Sequence, residues 1–344
     1  MALLHLQSFD DTNTDGHPGW SSSTWTTSGV RTGTKGIQVG DSLNQSASFS
    51  YSDQPSTTIV GVAWKPTDLG PDPSRVIQVD GSGGGVDLAL YLRATGAIYA
   101  TGPWGTSSDS ATGIITLGLW HYLEIKLVTD NTTGSYEVKI NGTTSFSGSS
   151  VDTQSGTSAY TTQVYFYGSG SSDMDRSYFD DFYLCDDTTS YNNDFLGDTA
   201  VHSLYPNGDG NTSNMTGSDA DQVDNYELVN EEPPSSTDYV GSQTPGDLDT
   251  YAMENLGSTA YTVHGIVTSV YGAKSDVGLK YMRHVVRTGS TSGAQSDNVS
   301  DTYLLTSSYV MNDKAWNVNP VTGVQWTEGE ITAFEVGQET RNTT

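Results

Sequence analysis

Residues 120–146 leave the fewest options for what this chain can fold into. Trp120, Tyr122, Glu124, Lys126 and Val128 alternate with His121, Leu123, Ile125 and Leu127, and the second set is mainly apolar. A period of two places that set on one face of a strand, turned inward. Asp130-Asn131-Thr132-Thr133-Gly134 reads as a turn, after which Tyr136, Val138 and Ile140 return against Glu137 and Lys139. Asn141-Gly142 follows, and both positions accept the positive φ that a tight two-residue hairpin demands. Residues 143–146 are therefore expected to turn back as a third strand. Such a meander must cover its apolar face with a second sheet.

The rest of the chain has the same grain. Segments 58–64, 76–79, 87–92, 97–101, 163–167 and 178–185 are short, apolar or alternating, and bounded by Gly, Pro, Asp and Ser. Hydrophobic residues make up 34% and charged residues only 16%, yet there are 20 Tyr and 7 Trp, so the chain is polar without the aromatic depletion of disordered segments. The reading is all-β: two tandem antiparallel β-sandwiches with one short C-terminal helix. A polar, turn-rich stretch at 186–193 sets the expected boundary, giving domains at 1–187 and 188–344. In the second, strands are expected at 199–205, 261–271, 278–288 and 303–311, with a long polar stretch at 206–222. The helix is expected over 328–334. Thr327 and Glu330 form a capping box, Trp326 and Ile331 a hydrophobic staple, and Gly337 a stop.

The formal net charge is −27, from 41 acidic and 14 basic residues. A chain this acidic repels phosphate backbones and anionic lipid, which argues against nucleic acid as a partner. The one cysteine, Cys185, excludes an intramolecular disulfide and is expected to pack in the core. The first residues show neither a basic leader nor an apolar run of signal length, and no stretch is long enough for a membrane span. These features predict a chain made in a cytoplasm and not inserted in a membrane.

No catalytic set is legible. Carboxylates at alternate strand positions, which a glycosidase on a β-sandwich needs to bring an acid and a nucleophile to one face, are missing. Asp173, Asp175, Asp180 and Asp181 lack a nearby Glu; Glu328 and Glu330 fall on the helix. The six His show no metal-ligand spacing, and no Gly-x-Ser-x-Gly elbow occurs. The expectation is a non-enzyme without a cofactor. Trp20, Trp25 and Trp104 are candidates for stacking on sugar rings. Asp173 and Asp175 are candidates for Ca2+, as are Asp209 and Asn211, by hard-oxygen chemistry.

Two resemblances add to this. The 120–146 meander, the opening residues 7–10 with Trp20, and the closing Tyr178-Phe179-Asp180-Asp181-Phe182-Tyr183-Leu184 resemble the laminin-G/concanavalin A-like jelly roll over residues 1–187. In that fold the first and last strands pair. Asn193-Asp194-Phe195-Leu196-Gly197-Asp198, Leu204-Tyr205-Pro206-Asn207-Gly208-Asp209-Gly210 and Val223-Asp224-Asn225-Tyr226 are similar to segments of tailed-bacteriophage virion proteins. So are Asn319-Pro320-Val321-Thr322-Gly323-Val324-Gln325-Trp326-Thr327 and residues 331–337. That resemblance implies a structural component of a phage particle, a head decoration, fibre or tail-associated protein with host surface glycans as contacts. Its partners would be other virion proteins and copies of itself, a trimer being the guess. The alternative is a carbohydrate-binding receptor-recognition protein of the tail; a polysaccharide-degrading enzyme ranks below both.

Overall fold

The computed structural model describes the whole chain except residues 1, 11–18, 22–23, 41–45, 70–71, 169–175, 258–259, 289–297, 300–301 and 343–344. It is all-β, 46% strand and 3% helix, with every strand pair antiparallel. Two compact units form: Met1–Asp10 with Gly19–Val201, and a second whose described residues begin at His202.

The first unit is a β-sandwich. Its first sheet runs Thr143–Val151, Gly134–Ile140, His121–Val128, Thr57–Pro66, Ser177–Cys185, Gly36–Val39, Thr24–Thr26, and Leu3–Gln7 pairs with Ser177–Cys185. The first and last strands of the unit thus pair, as the jelly-roll reading expects. The second sheet runs Gly105–Thr106, Ile98–Gly102, Val86–Leu92, Ser74–Gly81, Thr161–Tyr167, Ser46–Ser50, Trp20–Ser21. The 120–146 meander forms as read: Leu123, Ile125 and Leu127 lie beside Ile140, Val138 and Tyr136 on the inner face of one sheet, and Asn141 takes φ 51° in the turn. Between the sheets lie Phe9, Trp20, Phe49, Phe166, Phe179 and Phe182, packed edge-to-face and stacked.

Ser177–Cys185 is buried along its whole length, which plain alternation does not explain. A register shift between Asp180 and Tyr183, with Asp181 at φ 52°, lets Phe179 and Phe182 both point inward although three residues apart. Tyr183 then lies flat over Gly61, where a Cβ would sit 2.0 Å from the ring.

The outer face of the first sheet is sealed by the chain that follows. The Gly197 N–H donates to Glu124 (2.8 Å), the Leu196 N–H to the Tyr183 hydroxyl (3.1 Å) and the Val201 N–H to Asp181 (2.7 Å). Arg31 pairs with Asp181 (2.7 Å) and Asp198. These bonds carry the first unit on to Val201, past the boundary expected at 187/188. Cys185 is buried, and burial pushes its thiol pKa up.

The second unit has a sheet in the order Pro206–Ser213, Leu248–Met253, Glu335–Arg341, Tyr281–Arg287, Asn298–Val299, with Tyr303–Leu304 also against Tyr281–Arg287. Ile266–Gly272 pairs with Val310–Trp316 in a separate ladder. Thr268 joins ladder to sheet by contacting His284 Nδ1 (2.9 Å) and accepting from Trp316 Nε1 (2.9 Å). Burial lowers the His284 pKa to about 4 and keeps the ring neutral. No strand forms at 199–205, whose first residues belong to the strap over the first unit. The strand is instead Pro206–Ser213, in the stretch expected to be irregular, where polar residues pair on a sheet edge. The helix is Glu328–Thr332, shorter than expected, with the Thr327–Glu330 capping box formed and Ile331 and Phe334 packed on Trp326 and Trp316. Thr327→Ala removes the oxygen that accepts the Glu330 N–H and should cost about 1 kcal/mol, read as a lower midpoint in urea denaturation.

Candidate functional site

The chain up to Val201 covers the middle of the first sheet's outer face; on the outer face of the second sheet, chemistry-bearing side chains gather. Strand alternation decides which ones. Ile77, Val79, Leu88, Leu90, Val164 and Phe166 point into the core, so their neighbours point out. Register aligns those neighbours in rows. One row is Thr101, Ala89, Gln78, Tyr165, Ser48 and Ser21; beside it lie Tyr99, Tyr91 and Arg75; on the other side lie Asp80, Gln163 and Ser50. An irregularity between Arg75 and Ile77 is what brings Arg75 onto the face of Gln78.

Arg75 is the centre. Its guanidinium donates to the Tyr91 hydroxyl through Nε (3.1 Å) and Nη2 (2.8 Å), and through Nη1 to Gln78 Oε1 (2.6 Å) and the Tyr167 hydroxyl (3.4 Å). It lies over both rings, 5.3 Å from Tyr91 and 5.1 Å from Tyr167. Among the described residues no carboxylate is within ion-pair distance of it. Arg93, by contrast, is paired with Asp109 (3.3 Å) and Asp72 (3.7 Å) and caps the Tyr99 ring at 4.1 Å. Tyr91 and Tyr99 stack at 5.2 Å, Tyr165 and Tyr167 at 5.9 Å. Gln78 donates from Nε2 to Asp80 (2.5 Å), which burial pushes up to about 6. The face is a polar, aromatic strip with a preoriented cation at its middle.

Beside Tyr91 the strip opens into a cleft of about 480 Å³, lined by Val86, Thr101, Gly102, Pro103, Gln154 and Ser155. Asp87, fully buried, anchors the cleft wall by accepting from the Ser155 N–H (2.7 Å) and hydroxyl (2.6 Å).

The residues singled out from sequence lie elsewhere. Trp20 is in the core between Phe9, Phe49, Phe166 and Phe182, and is corrected from sugar platform to packing residue. Trp25 is half-buried with its ring 5.2 Å from Phe9. Trp104 stacks on Tyr136 (4.2 Å) and closes the edge of the sandwich above Gly102, next to the cleft. Asp173 and Asp175 lie outside the described residues. Asp209 accepts the N–H groups of Asp224 (2.8 Å) and Tyr226 (3.1 Å), and Asn211 donates to Glu335, so both order a loop. Among the described residues no three His, Cys, Asp or Glu side chains cluster in a way that could hold a metal ion. On Tyr281–Arg287, Arg283 pairs with Glu339 (2.6 Å) and Arg287 with Glu335 (3.2 Å).

No family model matches the chain, and no curated protein matches it. Among solved structures it is similar to an endo-β-1,4-glucuronan lyase of the fungus Trichoderma reesei (13% identity, 53% of this chain and 95% of the lyase, TM-score 0.41). It is similar also to an alginate lyase (13% identity, 52% and 95%, TM-score 0.36). A Trypanosoma rangeli sialidase is matched at 14% identity over 54% of this chain and 31% of the enzyme, TM-score 0.37. These neighbours correct the expectation of a non-enzyme. They are two polysaccharide lyases and a sialidase. At such identities and TM-scores no activity passes to this chain by likeness. None of the comparisons points to a virion protein or a laminin-G domain.

Proposed function

We propose that the first unit is a carbohydrate-recognising β-sandwich whose second sheet seats a carboxylated glycan on its outer face, with the sugar carboxylate on Arg75. The observation that carries the reading is Arg75 itself: a guanidinium oriented by two tyrosines and a glutamine, with no carboxylate paired to it among the described residues. A planar cation so held is suited to a bidentate carboxylate, and the flanking tyrosine rings suit the apolar faces of sugars. The molecule's net charge of −27 opposes polyanions at long range, which makes a local cation the condition for binding one.

The same set can do chemistry. A uronate carboxylate neutralised by Arg75 leaves the hydrogen on its neighbouring carbon more acidic; one of Tyr91 and Tyr167, as phenolate, would take that proton, a carbon–carbon double bond would form as the C–O bond to the next sugar breaks, and the other, as phenol, would protonate the leaving oxygen. The reaction within reach of this arrangement is β-elimination, with cleavage of the sugar–oxygen bond β to the uronate carboxylate.

The test is a panel of uronate and neutral oligosaccharides in titration calorimetry, with parallel ultraviolet monitoring for unsaturated product ends. Binding of uronates over their carboxyl-reduced counterparts supports the reading, and unsaturated ends extend it to catalysis. Preference for neutral sugars, or no binding at all, overturns it. A place on a phage particle rests on the segments at 193–226 and 319–337 alone; immunolabelling of intact particles tests it.

A further inference from the structure

The floor of the same face holds an acid coupled to its cation. Asp80 is 4% exposed, and its Oδ1 accepts the Gln78 Nε2–H at 2.5 Å. Gln78 turns its Oε1 to Arg75 (2.6 Å) and to the Tyr167 hydroxyl (3.4 Å). Carboxyl and guanidinium are thus two ends of one hydrogen-bonded line along the Ser74–Gly81 strand. The charged and titratable groups facing Asp80 are Asp87 from the next strand, which opposes its ionisation, Arg75 from its own, which favours it, and the phenols of Tyr165 and Tyr51. Burial outweighs these and leaves the carboxyl titrating at about 6.

Resting on the carboxylated-glycan reading of this face, we infer that Asp80 takes up a proton when an anionic sugar docks on Arg75, so that the face binds such sugars more tightly as the medium turns acidic. A ligand carboxylate on Arg75 and an ionised Asp80 are like charges at the two ends of one short hydrogen-bonded line, and protonating the buried acid removes their repulsion. The Gln78 bond survives the change, because a neutral carboxyl still offers an acceptor oxygen. Linkage is reciprocal: the factor by which the sugar favours the proton is the factor by which the proton favours the sugar. A uronate stays ionised above about pH 4, so affinity should rise as pH falls through the interval just above about 6, where Asp80 is ionised in the free protein and protonated in the complex.

The experiment is calorimetric titration with a trigalacturonate at about pH 5 and about pH 7.5, in two buffers of different ionisation enthalpy, for wild type, Asp80→Asn and Arg75→Ala. Wild type should bind about five- to tenfold more tightly at the acid pH, and should take up protons on binding at about pH 7.5 but scarcely at about pH 5, where Asp80 already holds its proton. Asp80→Asn, which keeps an acceptor for Gln78, should show the tighter affinity at both values with no proton uptake. Wild-type binding that is pH-independent or weaker in acid overturns the inference, as does pH dependence that persists in Asp80→Asn. If the sugar binds through Arg75 without proton uptake, the glycan reading stands and this inference falls. If it binds no protein at either pH, both fall.

Discussion

Replacing Arg75 with alanine is expected to weaken binding of a uronate oligosaccharide by about 30-fold or more while leaving the fold intact. The magnitude follows from what the guanidinium offers. A charge-assisted, two-pronged bond to a carboxylate is roughly twice as strong as a neutral one, and Arg75 is already oriented by Tyr91, Tyr167 and Gln78, so little freedom is lost on binding. The fold should not feel the change, because the strand is held by Ile77 and Val79 in the core and Arg75 lies on the outer side, half-buried. Arg75→Lys keeps the charge and loses the fork, and should fall between the two, about tenfold weaker than wild type. Calorimetric titration gives the affinities, and circular dichroism with a thermal melt shows whether stability is unchanged.

The second large effect is on stability. Asp180 and Asp181 are adjacent, fully buried carboxyls at the bulge of Ser177–Cys185. Asp180 accepts the N–H groups of Arg31 (2.7 Å), Thr32 (3.1 Å) and Asp181 (2.8 Å), yet burial, with the charge of Asp181 added, pushes it up to about 8. A raised carboxyl pKa means that the folded chain holds this proton more tightly than the unfolded chain does. Its contribution is therefore full below the unfolded pKa of about 3.9 and is lost as pH rises toward about 8. The first unit should lose stability on the order of a few kcal/mol across that window from the coupled Asp180–Asp181 pair. Asp80, titrating at about 6, adds a smaller loss of the same sign. Urea denaturation at several pH values measures the slope. Asp180→Asn should flatten it, at the cost of some stability in acid, since its NH2 would face one of the three N–H donors now satisfied. An unchanged slope in that variant would assign the pH dependence to other groups.

How much of this was legible in the sequence differs between the two units. The 120–146 meander could be read because alternation, a five-residue turn and Asn-Gly all agree within one short stretch. The pairing of the chain's first strand with residues 177–185 came from a family resemblance. The boundary was placed at 186–193 and a strand at 199–205, because the contacts that tie residues up to 201 to the first unit are made by backbone N–H groups of Leu196, Gly197 and Val201, which leave no mark on composition. In the second unit, Pro206–Ser213 pairs at a sheet edge with residues of low strand preference, so its polarity suggested a loop.

The candidate site was missed for a topological reason. Tryptophans were sought as sugar platforms, but large aromatics serve packing first, and Trp20 went to the core. Tyr91 and Tyr99 sit on the two strands that follow Ser74–Gly81 in sequence, but Tyr165 and Tyr167 sit far along the chain on Thr161–Tyr167, which only the topology of the second sheet brings beside Arg75. The alternation Gln78-Val79-Asp80 was visible, but a one-residue irregularity beside Arg75 hid that it shares their face.

The most direct test of the account is an experimental structure of the protein with a bound uronate oligosaccharide. The account predicts density along the outer face of the second sheet, with one sugar carboxylate in two-pronged contact with the Arg75 guanidinium and sugar rings against Tyr91 or Tyr167. Ligand seated on Trp25 or Trp104 with Arg75 untouched, or in the second unit, would contradict it.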